Sequence, residues 1–552
     1  MQSENLKILK SSQQHPLLLG IDFGTGGCKV TAIRPDGALA GEASVEYPTY
    51  HDRPGWSEQE PSDWWKALCE ALRKLSAKGV DLSQVAALAP DGSTHNAVLL
   101  DAGWKPVRRT IMWTDQRSTA ECEALRNWAG AGRPAREGER EAPSPAPRPS
   151  CREGEREAPN SRIFSRCYQM PAPTWTLPQM MWLKAHEPDA LARTAHVLFV
   201  KDYVRFLLTG EAATDRIEAQ GTLFFDMQKQ DWDPGLVALA GLRPEQLPRF
   251  VAPTDVAGRV TPQAAAETGL PAGVPVVCGS SDSAVEDYGA GAVEPGDLIL
   301  KLATAGNVNS MTAEAHPHPK TLTYGHIVPG MWYSVSATNA AALCMRWLRD
   351  AFYGAESDGR DATVGRRPSN VAKNLYSLID AEASASPLGA GGVTFHPYLQ
   401  GERCPYWDAS LRASFTGVSI SSTRGDFARA LMEGVAFSLR DCYRTLEEMA
   451  LPVKRIFLIG GGARSKLWSE IVANVFDRRV AVPTPGDASF GAALLAGTGI
   501  GLFPDAKTAV ARCLHVDRTI EPDPASAAAY ARLFGRYRAV HDALAPVYSA
   551  TN

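Results

Sequence analysis

The sequence predicts an α/β protein built from two related lobes. Three observations predict it. Short apolar runs of strand character alternate with longer stretches of helical periodicity. A strand running into a Thr/Gly turn occurs once in each half, at Gly24-Thr25-Gly26 and at Thr304-Ala305-Gly306. The 552 residues exceed the roughly 100–200 of one usual domain.

The folded part is expected to start near Leu17. Leu17–Ile21 is an apolar run, read as a buried strand, ending at Asp22-Phe23-Gly24-Thr25-Gly26-Gly27. Val30–Ile33 continues as a second strand. Pro35-Asp36-Gly37 then signals a turn, and Leu39–Tyr47 reads as a third strand, so two hairpins follow one another. From Ser62 a helix carries Trp64, Leu68, Ala71, Leu72 and Leu75 on one face. Val85–Leu88 reads as a strand, with a turn near Asp91-Gly92. Leu177–Lys184 and Lys201–Leu208 are helical. Two apolar strands, Val274–Cys278 and Leu298–Leu302, run into Gly279-Ser280-Ser281-Asp282 and Ala303-Thr304-Ala305-Gly306. A helix over Asp426–Met449 is followed by a strand, Arg455–Ile459, that stops at Gly460-Gly461-Gly462-Ala463. Ser465–Phe476 and Ser526–Leu544 complete the helices.

Residues 130–162 depart from this pattern. They are rich in Arg, Glu, Pro, Gly and Ser, and repeat Arg-Glu-Gly-Glu-Arg-Glu-Ala-Pro at Arg136–Pro143 and Arg152–Pro159. Such a segment cannot bury enough apolar surface to offset ordering entropy, so it is expected to be a disordered insertion. The tail, residues 1–15, is polar and without an apolar signal core, and is also expected to be disordered.

Composition narrows the function classes. A net charge of -4, from 57 basic and 61 acidic residues, gives no reason to expect nucleic acid or an anionic membrane as partner. No apolar run reaches the roughly 18–20 residues of a membrane span; Ala488–Phe503 contains four glycines and reads as a buried helix plus turn. Ten cysteines without a CxxC pair point to reduced thiols and a cytoplasmic protein.

Four places carry candidate chemistry. At Asp22–Gly27, glycines let a backbone approach an anion, Thr25 adds a hydroxyl, and a strand-end carboxylate suits a divalent cation; an ordinary hairpin turn is the alternative. Asp282 stands at a strand end that commonly faces a ligand crevice, or it caps the next helix. Gly460–Gly462 before a helix let a flat ligand lie on the backbone. His95, Trp113, Asp115 and Arg117 offer the polar groups and apolar wall that a sugar needs; a structural histidine and a surface Asp115–Arg117 ion pair are the alternatives.

The order of the pieces resolves them. IDFGTGG, WSEQEPSDWW, GSTHN, MWTDQR, GSSDSA, ATAG, HPYLQGERCPYW and LIGGGARS follow one another from about Leu17 to Leu495. Together they resemble the FGGY family of carbohydrate kinases, its xylulokinase branch most of all. The resemblance implies two actin-like, ribonuclease-H-type lobes around a cleft: residues 16–288 mainly for sugar and 289–547 mainly for ATP and magnesium. It implies ATP-dependent phosphorylation of a sugar hydroxyl, with Asp282 as catalytic base and Asp22 near the magnesium and the transferred phosphate. Thr25, Gly26, Thr304, Ala305 and Gly306 match the phosphate loops, and Gly460, Gly461, Gly462 and Ala463 the adenosine-side loop. His95 matches the sugar-contacting histidine, and Thr94, Trp113, Asp115, Arg117 and Ser283 join it. Departures stand at Ser93-Thr94 and Asn96 around that histidine, at Ser283, and at Ala303 and Ala305 in the second phosphate loop. The alternatives are a kinase for ribulose, erythritol, glycerol or another polyol, an actin- or chaperone-like nucleotide switch, and a sugar-binding pseudokinase. The expected partner is a small sugar, with no nucleic acid and no membrane; a homodimer is kept open.

Overall fold

Two mixed sheets repeat one strand order. The computed structural model describes residues 16–126, 128, 162–354 and 369–550. The expected tail and the repeat-bearing insertion, up to residue 161, lie outside the described residues; Arg162, the last residue assigned to the insertion, already opens a helix.

The first sheet holds β1 (Leu17–Gly24), β2 (Gly27–Ile33), β3 (Leu39–Glu46), β4 (Val85–Gly92), β5 (Val256–Arg259) and β6 (Pro275–Val277), in the order β5-β6-β4-β1-β2-β3. The second holds β7 (Asp297–Leu302), β8 (Gly306–Thr312), β9 (Leu322–Gly325), β10 (Trp332–Thr338), β11 (Arg455–Ile459), β12 (Val480–Thr484) and β13 (His515–Ile520), in the order β9-β10-β8-β7-β11-β12-β13. The run β3-β2-β1-β4-β6 recurs as β10-β8-β7-β11-β12. In both, the first strand pairs antiparallel on one side and parallel on the other. The tight Thr/Gly turns read from the sequence join β1 to β2 and β7 to β8.

The helices of the first half include α1 (Pro61–Ala77), α2 (Val200–Thr209), α3 (Arg216–Gln220) and α4 (Asp282–Gly289). Four more belong to the second half: α5 (Ala342–Phe352), α6 (Arg424–Glu448), α7 (Lys466–Phe476) and α8 (Ala488–Gly499). One sequence expectation changes here. The turn expected near Asp91-Gly92 is strand instead, because β4 runs to Gly92 and its last two residues pair with Asp22 and Phe23 of β1.

The two halves are joined by exchange. α4 follows β6 and α8 follows β12, yet α8 lies on β1 and β4 of the first sheet and packs across α4. Apolar on all sides, α8 fits only a buried position. Leu18, Val277, Val285, Tyr288, Ile299, Phe490 and Leu494 accordingly belong to one continuous core that spans both halves. Each such fully buried side chain contributes about 1.5–3 kcal/mol. Glycine makes the approach possible. A Cβ on Gly20 of β1 would lie 1.8 Å from the Ser489 carbonyl oxygen, and one on Gly491 would lie 2.2 Å from that of Val285. Among the described residues, no helix is long and apolar enough to cross a membrane.

Gly491→Ala therefore forces backbone apart at the crossing. Urea denaturation should show a loss of about 1–3 kcal/mol, the usual cost of overpacking. Gly535→Ala, whose Cβ meets nothing within 4 Å, should be neutral or stabilising.

Candidate active site

The β1–β2 turn is held from outside, leaving its inner groups free. The Tyr47 hydroxyl donates to the Gly24 carbonyl. The Gln59 side-chain amide donates to the Thr25 carbonyl at 2.7 Å. The Trp113 indole N–H donates to Thr25 Oγ1 at 3.0 Å. Accepting this bond leaves the Thr25 proton available for an outside acceptor. Gly26 is exposed, with open space where a Cβ would stand.

The turn after β4 meets α4. The Ser93 N–H donates to the Phe23 carbonyl, and Gly92 bridges to Ser281. This brings Thr94 to Asp282: Thr94 Oγ1 donates to Asp282 Oδ1 at 2.9 Å, and the Ser283 N–H donates to the same oxygen at 2.8 Å. Ser281, not Asp282, is the cap residue of α4, and its side chain makes no capping bond. The capping role weighed for Asp282 is therefore not what it performs. Burial raises the Asp282 carboxyl above its ordinary range, against the pull of Lys301 and Thr94.

His95 follows in the left-handed region, φ 56°. Its N–H donates to Glu218 of α3 at 2.5 Å, and its carbonyl accepts from Thr176. Its ring lies 4.9 Å from that of Trp175 and is seated against Gly221, where a Cβ would come within 2.6 Å of Cδ2. Nδ1 is buried without a partner, and burial lowers the imidazole to about 3. Asn96 ties the loop down: its amide donates to Ser93, and its oxygen accepts from the Trp113 N–H at 2.5 Å. Trp113 thus spans from the His95 loop to Thr25. Below them lies a charge network with no solvent access. Lys201 meets Asp202 at 2.6 Å and Asp215 at 2.9 Å, Arg205 meets Asp202 at 2.8 Å, and Ser280 donates to Asp215 at 2.8 Å.

Asp115 and Arg117 have another employment. They form a bidentate pair at 2.8 and 2.9 Å, fully buried rather than on the surface. Asp115 also accepts from the Ser57 N–H at 2.6 Å, while Arg117 pairs with Glu58 and stacks 3.6 Å over Trp56. Their polar atoms are spent on holding residues 56–58.

In the second half, the Thr304 hydroxyl is exposed and accepts from Arg346 of α5 at 2.9 Å, mirroring Thr25 and Trp113. The Ala303 and Thr304 carbonyls accept from the first N–H groups of α5. Gly306 does not line this turn: it is buried, and a Cβ there would meet Thr338 and Leu439 within 2.8 Å. Gly460 has φ 90° and approaches the Leu302 carbonyl, Gly461 faces open space, and Gly462 abuts Trp468. The glycines form a short turn of their own, Gly461–Arg464, before α7 begins at Lys466; the buried Ala463 carbonyl accepts from Ser469 and Arg518.

Acidic residues crowd the junction of the halves. Asp22 of β1 is raised above the ordinary carboxylate range by burial, then by Asp282, with Asp487 and Glu286 adding to it. Burial and Asp22 likewise push Asp91 well up. Two lysines answer them: Lys29 pairs with Asp487 at 2.6 Å and Glu42 at 2.9 Å, and Lys301 pairs with Glu286. Sequence reasoning missed Lys29, Asp91, Glu218, Glu286, Lys301, Arg346 and Asp487. A signal existed for Glu286, which follows Asp282 by one helical turn and so shares its face.

Comparison with known proteins identifies similar chains. The N-terminal domain of the FGGY family of carbohydrate kinases matches residues 17–137 and 147–289, and its C-terminal domain matches residues 304–500. A xylulose kinase of Escherichia coli (strain K12) is 30% identical over 484 residues, 87% of this chain and 89% of the relative. One of Bacillus subtilis (strain 168) is 28% identical over 528 residues, 95% and 96% of the two chains. The crystal structure of a xylulose kinase from Rhodospirillum rubrum superposes with a TM-score of 0.80 at 28% identity, covering 97% of this chain and 100% of the other.

Buried neutral histidines set an acid limit. His95 and His326 are held at about 3 and His396 at about 4, each chiefly by burial. Unfolding lets them take up protons near the ordinary 6.5, so the stability they contribute is present above pH 6.5 and is lost as pH falls toward 4. Each adds a slope of up to about 1.4 kcal/mol per pH unit. Denaturation at pH 4.5–7.5 should show His95→Gln flattening the acid limb by about that amount. The difference from wild type isolates this histidine from the buried carboxyls, whose raised values act in the opposite sense. An unchanged slope would mean that the imidazole charges inside the fold.

Proposed function

The chain belongs to the FGGY family of carbohydrate kinases, and from that membership we propose that it transfers the terminal phosphoryl group of ATP to a hydroxyl of a small sugar, with a pentulose such as D-xylulose as first candidate. The observation that carries the reading is Asp282, a half-buried carboxyl at the start of α4 that Thr94 and the Ser283 N–H hold in one orientation. Burial raises its proton affinity above that of an ordinary carboxylate, the direction that favours a general base.

In this reading the sugar hydroxyl gives its proton to Asp282. Its oxygen forms a bond to the terminal phosphorus of ATP as the bond to the bridging oxygen breaks, and ADP leaves with that electron pair. Such transfer depends mostly on positioning and on neutralising charge. Thr25 and Thr304 each accept from an N–H and keep a hydroxyl proton for phosphate oxygens, with the exposed Gly26 and the half-buried Ala305 beside them. Open space above Gly461 suits a flat adenine on the Gly460–Ala463 turn, so the reading gives residues 289–547 mainly to ATP. It gives residues 16–288 mainly to the sugar, with Thr94, Ser283, the free buried Nδ1 of His95 and the indole of Trp113 around it.

The surroundings of Asp22 are oxygen donors carrying excess negative charge, which fits a hard divalent cation. Among the described residues no three His, Cys, Asp or Glu form a ready-made cage. That also fits magnesium, which is usually held by one or two carboxylates plus substrate phosphates. Asp22 is the residue assigned to hold it; when bound, the ion neutralises phosphate charge. The nine described cysteines are free thiols, which supports placement in the cytoplasm.

ADP release across a panel of ketoses and polyols tests the substrate. Sugar-dependent turnover, highest with D-xylulose, is expected; nucleotide hydrolysis indifferent to every sugar would favour a nucleotide switch. Asp282→Asn should lower turnover by about 10²–10⁴-fold while thermal stability and ATP binding stay close to wild type. Near-normal turnover would remove Asp282 as base. His95→Ala and Trp113→Ala should raise the apparent constant for sugar more than that for ATP.

A further inference from the structure

Asp91 is the buried group that the reaction outlined above leaves unused. It sits on β4 directly beside Asp22 of β1, in a parallel register that pairs the two residues and turns both side chains to one face. Asp91 is fully buried, and neither of its carboxyl oxygens has a hydrogen-bond partner. The two carboxyls adjoin, and as acceptors they can bond each other only through a shared proton.

The nearby positive charges are already committed. Lys29 is held by Asp487 and Glu42, and Lys301 by Glu286. Asp282 has the Thr94 hydroxyl and the Ser283 N–H. Asp22 and Asp91 are left as two adjoining carboxyl groups near the ends of β1 and β4, without an ammonium between them. Buried charges are kept only when paired or coordinated. Two adjoining oxygen donors that leave the rest of the shell to phosphate oxygens and water are what magnesium takes and what a closed calcium cage is not.

We propose that Asp91 is a second protein ligand for the divalent cation, acting with Asp22 as a two-carboxylate seat that binds the ion before the nucleotide arrives. This rests on the kinase reading for the ion's use, but not for its binding. The turnover panel and the binding measurement can therefore fail separately.

The probe is Mn²⁺, followed by the loss of its free electron paramagnetic resonance signal on titration into the full chain without nucleotide or sugar. Wild type should bind one ion. Asp91→Asn should weaken that binding tenfold or more while ATP binding measured without metal is unchanged. Asp91→Ser, which removes the carboxyl and relieves crowding, should do the same and covers the case in which the first variant folds poorly. An Mn²⁺ affinity within twofold of wild type in either folded variant overturns the proposal and leaves Asp22 and Asp91 as a proton-sharing pair. So does the absence of binding to nucleotide-free wild type up to millimolar Mn²⁺, whatever the variants do. Binding that fails only in the Asp91 variants, in a chain that phosphorylates no sugar tested, upholds the seat and rejects the kinase reading.

Discussion

Everything at the site depends on two helices coming closer than side chains normally permit. α4 carries Asp282 at its first residue and Gly289 at its last, and α8 crosses it at Gly491. A Cβ on Gly289 would stand 2.9 Å from the Gly491 α-carbon, and the Asp487 carbonyl is closer still. With α8 also pressed on Gly20, the start of α4, the β1–β2 hairpin and the second half share one packed core. Positions in such a core are set by close packing, which transmits displacement instead of absorbing it. A carboxylate mounted there, as Asp282 is, would enter the proposed reaction already positioned.

The same closeness creates an electrostatic problem. Asp22, Asp91, Asp282, Glu286 and Asp487 influence one another, and Lys29 and Lys301 stand beside them. The molecule answers with local pairs, each lysine tied to the acid nearest it, and leaves excess negative charge at the β1–β4 end. The two halves also share a device for their phosphate turns. In each, an N–H donor from a neighbouring element, Trp113 or Arg346, fixes a threonine hydroxyl as acceptor. The donor groups differ, but each leaves its threonine's hydroxyl proton free for another acceptor.

Much of this was legible in the chain, for reasons that can be named. Local signals worked: the Thr/Gly turns, the all-apolar stretch that became α8, and the glycine run after β11 each lie within a few residues. His95 and Asp282 were legible as parts of an ordered series of motifs. Pairings set by sheet register were not. Asp91 looked like a turn residue because Asp-Gly is a turn signal, and nothing nearby tells that β4 continues to meet Asp22. Arg346 and Thr304 meet only because α5 returns to the β7–β8 turn. Asp115 and Arg117 are two residues apart, which in sequence fits a sugar contact or a surface pair equally. The Ser57 N–H, Glu58 and Trp56, brought in from another segment, show that the pair is buried and holds residues 56–58, which the spacing alone does not tell.

The placement of α8 has a consequence for the order in which the protein can be made. The ribosome delivers β1, β2 and β4 within the first hundred residues, yet the helix that covers them lies at 488–499. At roughly 5–20 residues per second, that cover arrives tens of seconds later. Until then the first sheet presents Leu18 and Ala87 to solvent or to whatever binds nascent chains, since their native neighbours do not yet exist. The amino-terminal half is thus a late-finishing rather than an early-finishing unit. A gene fragment that ends after α4 encodes a sheet permanently missing one of its faces.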